Sequence, residues 1–370
     1  MSTADVVILG AGLVGAACAE RLAQEKLRVT VLDGGVVGAG ATAAGMGHIT
    51  VMDDSEAQFA LTRYSQTLWR ERRAELPASV EWRDTGTLWV AADDEEMQAV
   101  AAKQAFYTSR GVAVQTLDSH AVAEAEPHLR PGLAGGFLVP DDSVIYAPCA
   151  AAYLMQRAKA AGAQVRLGVS ALRVDRGRVV LDDDTHVDAP RVVVACGHWS
   201  RKLLPDVPVR ARKGHLAITD RYPGFVRHQL VELGYLKSAH GHEQESVAFN
   251  VQPRATGQLL IGSSRQFDVE QSAVEPRFLA RMLERAFAYM PKLRAMSVIR
   301  TWTGFRAATP DSLPLIGPYE RMEGVYLATG HEGLGITTSL GTAAVLTDHM
   351  MGRASAIPLD PYLPARFPNG

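Results

Sequence analysis

The sequence predicts an α/β protein whose parallel sheet is interrupted by an inserted α+β domain built on an antiparallel sheet. Three observations predict it. Val6-Val7-Ile8-Leu9 and Arg191-Val192-Val193-Val194-Ala195-Cys196-Gly197 are continuous apolar runs of the kind a strand buried on both faces needs. Strand, glycine turn and helix follow one another at the start of the chain and again near its end. Between them, residues 209–219, 247–251 and 258–262 alternate, with Gly257 as a turn signal, as in an antiparallel sheet with one covered face. A length of 370 residues fits two domains, or one with a large insertion.

The first strand leads into Gly10-Ala11-Gly12-Leu13-Val14-Gly15 and an alanine-rich helical stretch. Glycine is needed three times: Gly10 for the tight turn, Gly12 so that backbone can approach a pyrophosphate, and Gly15 so that helix and strand pack closely. The helix start at Leu13 and Val14 presents N–H groups and the positive end of its dipole to phosphates. After a second strand, Arg28-Val29-Thr30-Val31-Leu32, comes Asp33, where an acid accepts hydrogen bonds from a ribose hydroxyl. Strand, glycines, helix, strand and acid in this order point to dinucleotide binding.

From Gly34 to His48 small residues dominate, which suggests backbone lying close to something large and flat. Ser55 and Gln58 form a capping box for a helix to about Leu76, with Leu61, Tyr64 and Leu68 on its apolar face. Residues 81–91 are rich in β formers, with Gly86 marking a bulge or close approach. Asp93 opens a helix with Met97, Val100 and Ala101 on one face and Gly111 as its stop. Residues 112–146 read as short strands and loops outside the nucleotide domain. Pro148 starts a helix that ends near Gly162, and the 191–197 run returns to the parallel sheet. Leu279, Met282, Leu283, Ala286, Phe287 and Met290 recur at helical spacing between Pro276 and Pro291, a stripe read as core rather than cofactor box. A last strand, Val325-Tyr326-Leu327-Ala328-Thr329, precedes Gly330-His331-Glu332-Gly333-Leu334-Gly335 and a helix to Gly352.

Composition narrows the partners. A 47% hydrophobic and 21% charged chain is an ordinary globular one, and a net charge of −2 gives no electrostatic reason to expect nucleic acid. Cys18, Cys149 and Cys196 are far apart in apolar patterns and read as buried thiols in a reducing compartment. The first strand begins too early to leave room for a signal peptide, and no run of 18 apolar residues could span a membrane, so a cytoplasmic protein is expected. Cys196 and His198 have no second pair at zinc spacing, and no metal is expected.

On four motifs the chain resembles the glycine oxidase and D-amino acid oxidase family of flavoproteins over essentially its whole length. They are the N-terminal glycine turn with Asp33; Gly40-Ala41-Thr42-Ala43-Ala44-Gly45-Met46; Ala195-Cys196-Gly197 with His198-Trp199-Ser200; and the pair formed by residues 304–317, from Gly304-Phe305-Arg306 to Ile316-Gly317, and residues 330–335. The resemblance implies a Rossmann-like FAD-binding domain of the D-amino acid oxidase (GR2) type, about 1–80, 146–208 and 300–370, with an inserted substrate domain, about 81–145 and 209–299. It implies non-covalent FAD in extended form. Its contacts would fall at the opening turn, Asp33 and Gly34, then at Ala41, Thr42, Ala44, Gly45, Met46 and Gly47. Val169, Ala195, Gly197 and Trp199 follow, then Gly304 and Arg306, then Gly330, His331, Glu332, Gly333, Leu334, Gly335, Ile336 and Thr337. A nicotinamide enzyme needs only the first motif, so the further glycine-rich segments favour FAD. Asp33 replaces the family's usual glutamate, and either carboxylate reaches a ribose. No cysteine follows Cys196, so the cysteinyl flavin link of monomeric sarcosine oxidases is not expected.

Family members pass hydride from an amino acid's α-carbon to flavin N5, leaving an imine. The protein must hold the substrate carboxylate, and a planar, always charged guanidinium grips both of its oxygens. Arg306 matches the family's arginine for this task. The family's Tyr-x-x-Pro-Arg strand reads Asn250-Val251-Gln252-Pro253-Arg254 here, so a smaller amide replaces a phenol, and Arg265 stands where glycine oxidases carry methionine. Both changes imply a roomier, more polar pocket. His48, after the small-residue stretch, is a candidate to face flavin or substrate, while His331 is expected to act through its main chain. The resemblance therefore implies an oxidoreductase for a small D-amino acid or a cyclic secondary one, nearest to the D-hydroxyproline or proline dehydrogenase type of subunit, partly through Gly45-Met46-Gly47-His48. The alternatives are a glycine or sarcosine oxidase using O2 and an electron-transfer flavoprotein subunit of a multi-subunit dehydrogenase. Partner subunits or a separate electron acceptor go with the last.

Overall fold

The computed structural model describes residues 4–234, 245–267, 269 and 271–367. The chain separates into two compact units, Met1–Val80 with Ile145–Ala211 and Phe305–Gly370, and Glu81–Val144 with Arg212–Gly304.

The first unit is built on a six-stranded sheet in the order Leu315–Pro318, Val325–Thr329, Val192–Val194, Val6–Leu9, Val29–Asp33, Gln164–Leu167. All pairs are parallel except the first, where Leu315–Pro318 runs against Val325–Thr329. Val6 to Leu9 and Val192 to Val194 are fully buried, which is why both read as unbroken apolar runs. Helix Leu13–Gln24 packs against helices Ala147–Ala160 and Gly335–Met350. Its small buried side chains, Ala16, Ala17, Ala19 and Ala23, let the three axes approach. A three-stranded sheet of Ala171–Asp175, Arg178–Leu181 and His186–Asp188 adds Val174, Val179, Leu181 and Val187 to a core shared with Val192, Val194 and Leu327.

Helix Glu56–Arg72 begins as its capping box implies, with Ser55 Oγ accepting from Gln58 N at 3.1 Å. A 3-10 turn at Arg73–Glu75 ends it before Pro77, short of the expected Leu76. Its expected apolar face also needs correction: Leu61 is buried, but Tyr64 and Leu68 are half-buried, and Ser65 and Trp69 complete the buried stripe. The reason is close helix approach. A Cβ on Gly341 would lie 3.0 Å from Ser65 Cβ and 3.1 Å from Leu61 Cδ1, and Gly341 N donates to Ser65 Oγ at 2.9 Å.

Most of an eight-stranded sheet falls in the second unit, in the order Val298–Ala308, Arg210–Arg221, Gln258–Phe267, Glu245–Pro253, Gln229–Glu232, Thr87–Ala91, Gly135–Val139, Gln115–Asp118, with residues 210–211 and 305–308 of the first two strands belonging to the first unit. Gln229–Glu232 and Thr87–Ala91 pair parallel, and the pairs flanking them are antiparallel. No hairpin joins these two distant segments, so nothing forces them to reverse direction. One face carries Leu88, Val90, Leu230, Phe249, Val251, Leu259 and Ile261, covered by Met282, Ala286 and Tyr289 of helix Pro276–Tyr289. The methionine stripe is thus core. Gly86 sits at a close approach, with φ +62 and a notional Cβ 3.1 Å from Leu138 Cδ1. Helix Asp94–Ser109 is capped by Asp93, whose Oδ1 accepts from Glu96 N at 2.9 Å, but Ala101 is exposed and the buried residues are Glu96, Val100 and Tyr107. Glu96 turns inward because its carboxylate accepts from Ala92 N at 2.8 Å. Within the stretch expected as strands and loops, Ser119–Ala125 is helical, capped by Asp118.

Candidate functional site

In the first unit the opening turn is held by backbone-to-backbone proximity. A Cβ on Gly10 would lie 2.5 Å from Ala195 O, and one on Gly15 would lie 2.0 Å from Gly10 O, so neither position admits a side chain. Gly12 is different. Its Cβ would meet only Thr42 Oγ1, at 3.2 Å, so this surface of the turn lies open beside the start of helix Leu13–Gln24. No side chain of Gly12 caps the helix; instead Thr42 Oγ1 accepts from Leu13 N at 3.0 Å, joining the small-residue stretch to the helix start. A backbone concavity at the positive end of a helix dipole suits a pyrophosphate.

Asp33 braces the opening turn. Its Oδ2 accepts from Ala11 N at 2.6 Å and its Oδ1 from Gly35 N at 2.7 Å, so the carboxylate fixes the glycine turn. Two ionised oxygens have about four acceptor sites, which leaves capacity for a sugar hydroxyl. Gly34 is constrained by Ser170, whose Oγ would lie 2.4 Å from an added Cβ, and Val169 N donates to Asp33 O at 3.2 Å. Sequence 191–197 ends beside the same turn: Ala195 N and Cys196 Sγ both donate to Leu9 O. Burial, with the nearby Asp33 charge, pushes the Cys196 thiol up to about 12, and burial pushes Cys18 to about 12. Trp199 is half exposed, with Lys202 Nζ 4.0 Å above its ring.

The second glycine-rich stretch and the C-terminal turn lie together. Ala41, Thr42 and Ala44 form a short helix after Gly40, and Met46 is buried. A Cβ on Gly45 would lie 2.7 Å from Ile336 Cδ1, and one on Gly47 would lie 1.9 Å from Ile145 O. Thr337 ties this region to the last helix, donating to His48 O at 2.9 Å and accepting from Thr50 N at 3.2 Å. His48 itself is half-buried.

Arg306 is half-buried on the strand Val298–Ala308, followed by buried Ala307 and Ala308. The next residue, Ala307, bridges Glu332, with Glu332 N donating to Ala307 O at 2.8 Å. This lays the 330–334 turn along Arg306, and a Cβ on Gly333 would be 3.7 Å from Arg306 Cδ and Nε. Gly330, at φ +77, could not carry a Cβ without meeting Thr309 Cγ2 at 2.6 Å. The His331 ring points into the protein, its Nε2 3.0 Å from Thr342 Oγ1, and complete burial pulls its pKa down to about 4. The ring thus braces the turn against helix Gly335–Met350.

In the second unit, Asn250 pairs with Val231 and Gly262 across the sheet and is 6% exposed, with no hydrogen-bond partner for Oδ1 among the described residues. Arg265, 8% exposed, pairs with Ser246. Arg254 of the same motif is held by Glu81 at 2.6 Å and lines a cavity of about 410 Å³ with Arg83, Tyr222 and Pro223, which contains neither Asn250 nor Arg265. Thr87 and Gln229, buried on the same face of the sheet as Asn250, escaped the sequence reading. Gln229-Leu230-Val231-Glu232 does not alternate, so no pattern marks Gln229, and its proximity to Thr87 depends on register.

Among the described residues no group of three or more His, Cys, Asp or Glu is arranged to hold a metal, and no helix is long and apolar enough to cross a membrane. A family model described as FAD dependent oxidoreductase matches residues 5–349. The chain is 29% identical to a glycine oxidase of Geobacillus kaustophilus, over 97% of this chain and 96% of that one. It is 28% identical to hydrogen cyanide synthase subunit HcnC of Pseudomonas aeruginosa, over 99% and 96%. Among solved structures, Geobacillus kaustophilus glycine oxidase superposes with a TM-score of 0.89 at 24% identity, covering 98% of each chain. L-proline dehydrogenase from P. horikoshii gives a TM-score of 0.88 at 21% identity over 99% of this chain and 98% of that one. With the family model spanning nearly the whole length, the chain belongs to the family of FAD-dependent oxidoreductases.

Proposed function

We propose that this protein oxidises the carbon–nitrogen bond of a small amino acid, D-configured or a cyclic secondary one such as D-hydroxyproline, to an imine. When bound, FAD supplies the two-electron acceptor. Residues 10–15 and Asp33 would hold its pyrophosphate and ribose, and residues 45–47 and 330–335 its ring end. On this reading the first unit is the FAD-binding domain and the second the substrate domain. The observation that carries the reading is Arg306 lying along the 330–334 turn. A guanidinium there can take both oxygens of a substrate carboxylate and so orient the α-carbon. Asn250 and Arg265 are assigned to the substrate's other groups, and His48 to the flavin or substrate. Arg306→Ala tests the clamp: it should abolish flavin bleaching by amino acids while FAD stays bound, and bleaching at the original rate would refute it.

The glycine oxidase name of one relative favours a second reading, oxidation of glycine or sarcosine with O2. Asn250 and Arg265 argue against it, since glycine has no side chain for added polar groups to meet. The name of the HcnC relative, a subunit of hydrogen cyanide synthase, favours a role as one subunit of a larger enzyme, and an electron-transfer subunit of a multi-subunit dehydrogenase is the form we weigh. Reoxidation of the bleached protein by air separates the two.

A further inference from the structure

The face of the second unit's sheet turned away from helix Pro276–Tyr289 carries polar residues where burial would favour apolar ones. Gln229 pairs in parallel register with Thr87, and extending the antiparallel pairing of Leu230 with Val251 by one residue puts Gln229 beside Gln252. Thr87, Gln229 and Gln252 therefore form one row across three adjacent strands. Asn250 stands two residues along, opposite the buried Gly262. Thr87 is 0% exposed, Gln229 2% and Asn250 6%. Thr87 Oγ1, Gln229 Oε1 and Asn250 Oδ1 are fully buried with no hydrogen-bond partner among the described residues. A buried polar atom left unmet is costly, so three on one face indicate a ligand that meets them.

We propose that Thr87 and Gln229, with Asn250, are specificity-determining residues that bind a hydroxyl on the substrate's side chain. This deepens the amino acid reading and rests on it. The row carries no charge, so it suits neither a second carboxylate nor a second ammonium. A hydroxyl donates one hydrogen bond and accepts others, and an amide or threonine hydroxyl can answer on both counts. The substrate class is then a hydroxylated small amino acid. A site built around a substrate hydroxyl discriminates strongly against the analogue that lacks it, because its own polar groups are then stranded.

The test uses the FAD-loaded protein, mixed anaerobically with matched pairs: each stereoisomer of 4-hydroxyproline against proline, and each enantiomer of serine against alanine. Wild type should bleach with the hydroxylated member of one pair at least about 100-fold more efficiently. In Gln229→Met and in the near-isosteric Thr87→Val, that ratio should fall to within about tenfold. Folded, FAD-loaded variants that keep the wild-type ratio would overturn the row's role while leaving amino acid oxidation intact. If no amino acid bleaches wild type, the proposed function fails instead, and ligand-induced shifts in Tm decide the row. A shift with hydroxyproline or serine that is lost in Gln229→Met supports hydroxyl binding, and no shift in wild type overturns it.

Discussion

Replacing Glu232 should loosen the sheet that carries Asn250 and Gln229, and its cost can be worked from the contacts. The carboxylate is 2% exposed, accepts from Phe249 N at 2.5 Å and from Tyr289 Oη at 3.1 Å, and is gripped by Arg285. In Glu232→Ala the Phe249 N–H is left buried without its acceptor, which costs about 1–3 kcal/mol, and the Tyr289 bond adds about 1 kcal/mol. Arg285 contributes little to the loss, because its side chain is 42% exposed and can return to water. The expected total is about 3 kcal/mol, a fall in Tm on the order of 10 °C for a unit of this size. Glu232→Gln keeps an acceptor for Phe249 N and should cost about 1 kcal/mol. Urea unfolding followed by intrinsic fluorescence measures both. A loss below about 1 kcal/mol for the alanine variant, or equal losses for the two, would refute the ranking of backbone acceptor over ion pair.

Gly15→Val places side-chain atoms where Gly10 O already sits, so the turn must open; FAD content, read from the ratio of absorbance near 450 and 280 nm, should fall sharply even in soluble protein. Arg306→Lys keeps the charge but loses the two-pronged grip, and kcat/KM for the best amino acid should drop by about 10- to 100-fold, with unchanged efficiency counting against the clamp. His331 gives a pH test. Its folded pKa, about 4, lies below the ordinary 6.5, so the unfolded chain binds its proton first and stability is lost as pH falls from about 6.5 towards 4. His331→Gln should flatten that decline by up to about 1.4 kcal/mol per pH unit in denaturation midpoints converted to free energy, and an unchanged slope would argue against a neutral buried ring.

The parallel sheet was legible because strands buried on both faces must be written in unbroken apolar residues, as Val6 to Leu9 and Val192 to Val194 are. Gly10 and Gly15 were legible for a similar reason: no other residue fits against Ala195 O or Gly10 O. Asp33 stands out by its place after the second strand, but its bracing of Ala11 N does not, since that depends on how the turn closes on itself. Helix Glu56–Arg72 misled because a neighbour's glycine, Gly341, can turn a serine into a core residue. Asn250 stood out against a familiar strand motif, whereas Thr87 and Gln229 become neighbours only through a parallel pairing of distant segments. Arg306 shows both limits at once. Its motif could be read, but its place beside Gly333 comes from the bridge between Ala307 and Glu332.

The central claim is that the flavin of this chain takes electrons from the carbon–nitrogen bond of a small amino acid held through its carboxylate. Anaerobic mixing of the purified protein with D- and L-amino acids, sarcosine, proline and the hydroxyproline isomers tests it directly. Bleaching of the 450 nm band by a D-configured or cyclic secondary amino acid, absent in Arg306→Ala, is the predicted result. A colourless protein that binds no FAD, or a yellow one that none of these compounds bleaches, would contradict it.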